Sequence, residues 1–194
     1  MNYYYNKLNN NNISKEEADI IKYSPMGDDT IRSYFPDAKI LLVSELANYN
    51  SIDELLPSNP DFVILLYQSS PNNGHWVLLS KYDDTLEYFD SYGGVIDKPL
   101  SWTPIGIRTK LGEGKPLLSN LLENTDYDLI YNAVNFQDKK DNKISTCGRW
   151  CSLRWNTIKT KRMSLVDFID MMKALKKATG RTYDNIVSDL VNYV

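Results

Sequence analysis

The chain has 194 residues, a formal net charge of −3, 42% hydrophobic and 24% charged residues. These ordinary proportions suggest neither a disordered nor a membrane protein and allow one domain with a sizeable core. No run of about 18 apolar residues occurs, and the Asn- and Tyr-rich start lacks a basic stretch followed by an apolar one, so nothing marks the chain for secretion or membrane insertion.

Residues 1–12, with the run Asn9-Asn10-Asn11-Asn12, show no periodic apolar face and are expected to form a flexible arm. Ser14 with Glu17 is a capping-box pattern opening a helix, and a second helix is expected near Asp28. Lys39–Val43 reads as a strand and residues 51–56 as a helical turn closed by Pro57. Three strands follow, at 62–67, 76–80 and 86–90, separated by turn signals at 70–74 and at Asp83-Asp84, which predicts an antiparallel meander. Residues 117–122 read as a helix and 128–136 as a strand. The charged loop 138–143 leads to a helix beginning at Cys147, with an apolar stripe of Trp150, Cys151, Trp155 and Ile158. Ser164 caps a helix stopped at Gly180, and a last helix carries Ile186, Val187, Leu190 and Val191. Residues 13–194 therefore read as one α+β domain, with a central, mainly antiparallel sheet and helices packed on it.

The chemistry narrows quickly because the chain has two cysteines and one histidine. Cys147, Cys151 and His75 fall one short of the four ligands that a structural zinc takes, so no metal and no cofactor is expected. A disulfide between cysteines four positions apart would close a very small loop, which favours free thiols in a reduced compartment. In the predicted hairpin, His75 and Asp90 lie about equally far from the turn at Asp83-Asp84, so antiparallel pairing returns the carboxylate to the imidazole. There it can fix the tautomer and stabilise an imidazolium. Cys147, at a helix start with Ser145 or Thr146 as cap, is placed where a thiolate is favoured, and Gly148 opens the backbone to a substrate. Cys151, one turn on, reads as buried apolar filler. Gln137 ends a strand and could donate to an oxyanion beside the Cys147 N–H.

Gly74-His75-Trp76, Tyr88-Phe89-Asp90-Ser91-Tyr92-Gly93, Gln137 and Thr146-Cys147-Gly148-Arg149-Trp150, in that order, resemble the adenain-like and ubiquitin-like-protein-specific cysteine proteases. The pattern is most similar to the maturation proteases of adenoviruses, virophages, Polinton-type elements and large DNA viruses. The resemblance covers roughly residues 60–160. It implies a papain-like arrangement of catalytic helix against sheet, with His75 as base, Asp90 as orienting acid, Cys147 as nucleophile and Gln137 as oxyanion donor. Trp76 becomes a wall of the channel that admits the substrate. Implied substrates are capsid or core precursors cut after a small residue such as glycine, in the host cytoplasm or viral factory, with packaging in the virion. In one departure, the insertion 138–143 places Gln137 farther from Cys147 than is usual in the family.

Two other functions remain open. The same chemistry would serve Gly-Gly tails of ubiquitin-like proteins. Separately, from Asp138 onward the chain has 12 basic and 6 acidic residues, against 10 and 19 before it. Lys159, Lys161, Arg162, Lys173, Lys176, Lys177 and Arg181 could therefore bind DNA or acidic peptides, although a charge run on a helix is more often a solvated face.

Overall fold

The computed structural model describes residues 2–10 and 14–192. In chain order the elements are α1 (Asn2–Asn10), α2 (Lys15–Tyr23), α3 (Asp28–Tyr34), β1 (Lys39–Leu42), α4 (Ile52–Leu55), β2 (Asp61–Ser70), β3 (Asn73–Tyr82), β4 (Thr85–Phe89), α5 (Ile105–Lys110), α6 (Leu117–Leu122), β5 (Asp128–Tyr131), α7 (Cys147–Lys161), α8 (Leu165–Thr179) and α9 (Tyr183–Leu190), with short 3₁₀ helices at Val43–Asn48 and Lys98–Trp102. The fold is α+β. The chain has two compact units, Met1–Pro36 with Val134–Val194 and Asp37–Ala133.

The second unit carries a five-stranded sheet in the order β1-β2-β3-β4-β5. The central meander β2-β3-β4 is antiparallel as expected, and short edge strands complete a mixed sheet, β1 parallel to β2 and β5 parallel to β4. Parallel neighbours need long crossovers. Residues 43–60 and 90–127 supply them, and both cover the same face. Val43, Leu46, Ile52, Leu55 and Leu56 from one crossover and Leu100, Leu118 and Leu122 from the other share a core with Val63, Leu65, Val77, Leu79, Leu86 and Tyr88. Side chains alternate along a strand, which puts Ile64, Leu66, Trp76, Leu78 and Phe89 on the opposite face, where they are also buried. The hairpin turn is tight because Asp83 takes φ 50°, a left-handed conformation that aspartate tolerates better than most residues.

The first unit is helical. α9 packs against α1, α2, α7 and α8. Ser14 and Glu17 form the capping box, Ser164 caps α8, and Gly180 ends it at φ 67°. Phe136 stacks on Trp150 at 4.8 Å and meets Phe168 and Tyr183 edge-on, joining the approach to α7 with α8 and α9. The N-terminal stretch departs from expectation. Residues 2–10 form a helix rather than an arm, because Tyr4 and Leu8, one turn apart, both find a buried place, and the Lys7 amine donates to Leu190 O at 2.8 Å. Residues 1, 11 and 12 of the expected arm lie outside the described residues. The strand expected over 128–136 stops at Tyr131.

Candidate active site

Each unit holds one half of the expected residue set. In the sheet unit, His75 stands near the start of β3 and Asp90 just past the end of β4. The β3–β4 register pairs Leu78 with Phe89; continued by one residue it sets Asp90 opposite Val77, on the same face as His75 and diagonal to it. His75 Nε2 and Asp90 Oδ1 are 2.8 Å apart, and both side chains are buried. In the neutral imidazole, an Nε2–H that donates to the Asp90 carboxylate leaves Nδ1 as the acceptor nitrogen. Asp90 Oδ1 also accepts from Tyr92 N at 2.8 Å, while Oδ2 is buried without a hydrogen-bond partner.

Aromatic rings fix the imidazole from two sides. Tyr92 stacks on it at 4.9 Å, and Trp102 meets it edge-on at 5.2 Å. Trp76 leaves the strand on the opposite face from His75 and is 8% exposed, whereas Trp102 is 46% exposed. Gly74 has a steric cause: a Cβ there would overlap Tyr67 O, next to the irregularity between Gln68 and Ser70 in β2. The glycine before the histidine is thus required by close backbone approach.

In the helical unit, Cys147 is the first residue of α7 and partly exposed, and Cys151 is buried. Thr146 occupies the N-cap position, but its side chain does not cap the helix. Its hydroxyl donates instead to Asp184 Oδ1 of α9 at 2.6 Å, and Asp184 Oδ2 accepts from Asp138 N at 2.9 Å. One buried carboxylate therefore ties both stems of the inserted loop, next to Gln137 on one side and Cys147 on the other. Burial pushes the Asp184 carboxyl above its ordinary range, opposed by these hydrogen bonds. Gln137 is 2% exposed, and its Nε2 donates to Ile144 O at 2.9 Å, which draws it toward the segment just before Cys147. Gly148 is buried in the first turn of α7.

Arg149, also buried, donates to Ser24 O at 2.7 Å and Val191 O at 3.2 Å, the C-cap residues of α2 and α9. The negative ends of two helix dipoles thus receive one cation. Burial lowers the Arg149 pKa, with Tyr34 and Cys147 acting in the opposite direction. By reciprocity, the guanidinium favours the Cys147 thiolate. Sequence reasoning gave no role to Asp184, Arg149, Tyr92, Trp102 or Asn132. Asp184 looks like an ordinary acidic residue in the first turn of a helix, and nothing local reveals its partners.

Lys159 and Lys161 lie on α7, Arg162 follows it, and Lys173, Lys176 and Lys177 lie on α8. Several have neighbours: Lys161 sits over Tyr3, Lys176 over Tyr183, and Lys173 pairs with Asp170. Among the described residues, no group of three or more His, Cys, Asp and Glu could hold a metal ion, and no helix is long and apolar enough to cross a membrane.

No family model matches the chain. Over 146 residues it is 37% identical to the uncharacterised protein V9 of Sputnik virophage, covering 73% of this chain and 81% of that protein. The chain belongs to the family of this virophage protein. Among solved structures it is similar to the ASFV pS273R protease, at 14% identity and a TM-score of 0.42, covering 95% of this chain and 68% of the other. It is also similar to the SUMO protease Ulp1, at 16% identity and a TM-score of 0.30, covering 84% of this chain and 60% of the other.

Proposed function

We propose that the chain is a cysteine endopeptidase that processes capsid or core precursors of a virophage-like virus after small residues such as glycine. The observation that supports it most is the buried 2.8 Å hydrogen bond between His75 Nε2 and Asp90 Oδ1, in a chain whose partly exposed cysteine begins a helix. A histidine oriented by a carboxylate takes the thiol proton on Nδ1. The Cys147 thiolate, favoured by the helix N-terminus and by Arg149, attacks the scissile carbonyl. The oxyanion is received by the Cys147 N–H and by Gln137, whose amide nitrogen carries a second N–H beside the one given to Ile144. The imidazolium then protonates the leaving amine, and water attacks the acyl-enzyme to release the acid and regenerate the thiol.

Catalysis by this route needs Cys147, not Cys151. A capsid precursor of the same virus, incubated with wild-type, Cys147→Ala and Cys151→Ala proteins, should be cut by the first and third and left intact by the second. Cleavage that survives Cys147→Ala would overturn the assignment. A ubiquitin-like protein extended beyond its Gly-Gly end, run in parallel, tells whether the substrate is a folded tail of that kind.

A further inference from the structure

The parallel ladder between β4 and β5 ends with Tyr88 opposite Tyr131. Beyond it a side chain takes over from the backbone. The Asn132 amide is fully buried; its Oδ1 accepts from Asp90 N at 2.9 Å and its Nδ2 donates to Asp90 O at 2.8 Å. A primary amide offers a carbonyl oxygen and an N–H side by side, so it can engage both backbone groups of one residue as a neighbouring strand would. Asp90 O also accepts from Gly93 N at 2.8 Å, closing the turn in which Tyr92 N reaches Asp90 Oδ1. The backbone of Asp90 is thus gripped from β5 on one side and by its own turn on the other.

We propose that Asn132 is a positioning residue for the His75–Asp90 pair: its amide fixes the Asp90 backbone so that the carboxylate meets His75 Nε2. The residue type follows from the task. Aspartate could accept from Asp90 N but has no donor for Asp90 O, and it would bring a second negative charge beside the first. Serine is too short to bridge both groups at once, and alanine offers neither. The catalytic consequence rests on the peptidase assignment; the geometric one does not.

His75 is the sole histidine, so its imidazole signals can be followed by NMR without overlap. An adjacent carboxylate favours the imidazolium, and Asp90→Asn is expected to lower the His75 titration midpoint by about 1 pH unit. Asn132→Ala, with Asp90 intact, should lower it by about half as much, and should add nothing in the Asp90→Asn background, because its effect passes through that carboxylate. Asn132→Ser, which keeps a hydroxyl, serves as a second variant if the alanine protein does not fold. A folded Asn132 variant with the wild-type midpoint, or one whose shift is the same with and without the Asp90 carboxylate, overturns the proposal. The titration uses no substrate. A chain with no proteolytic activity whose His75 midpoint still falls would keep Asn132 as a positioning residue and discard the peptidase assignment.

Discussion

Replacing Asp184 with alanine removes the carboxylate that ties the two stems of the loop between Gln137 and Cys147. Thr146 is fully buried, so its hydroxyl loses its acceptor without gaining water, at a cost of about 1–3 kcal/mol. Asp138 is exposed, and water can replace the lost partner at its amide. The variant is also relieved of a carboxyl whose burial is unfavourable enough to push its pKa up. The net loss is then about 2 kcal/mol, or a fall in Tm of about 4–8 °C for a chain of this size. The effect on turnover should be larger. If the stems relax and Gln137 shifts by about 1 Å relative to Cys147, kcat should drop on the order of 100-fold with little change in KM. Asp184→Asn should recover most of this, since its oxygen still faces Asp138 N and its amino group can donate to the Thr146 hydroxyl oxygen. The assay pairs thermal melts with steady-state cleavage of a precursor-derived peptide. A destabilised Asp184→Ala protein with kcat within about twofold of wild type would refute the idea that the clamp positions the site.

Gln137→Ala should lower kcat about 10²–10³-fold and leave KM nearly unchanged, as removal of an oxyanion donor does; an equal rise in KM alone would place Gln137 in substrate binding. Leu8→Ala should destabilise the chain by about 3 kcal/mol in a denaturant melt, because Leu8 is 1% exposed, whereas a loose arm would tolerate it. Burial raises the Glu113 pKa, with the Gln68 hydrogen bonds opposing and Asp97 adding to the rise. Between the unfolded value of about 4.3 and the higher folded one, the folded chain keeps a proton that the unfolded chain has lost, so stability declines as pH rises through that window. Glu113→Gln should flatten the decline in a Tm-against-pH series.

The local pattern of the sequence determined the meander, the capped helices and the pairing of His75 with Asp90. A hairpin's register follows from counting back from its turn, and alternation then decides the face. Cys147 was legible as the start of a helix because a charged loop gives way there to an apolar stripe. Tertiary structure alone decided the rest. The N-terminal residues fold because Tyr4 and Leu8 find a buried site, which their own polar neighbours do not announce. The parallel edges of the sheet depend on where two crossovers lay their apolar residues. Asp184 reaches Thr146 across 38 positions, Asn132 reaches Asp90 across 42, and Arg149 reaches Ser24 across 125. Periodicity encodes which elements form. The partners of a buried polar side chain are set by which ends of those elements meet, and sequence spacing carries no trace of that.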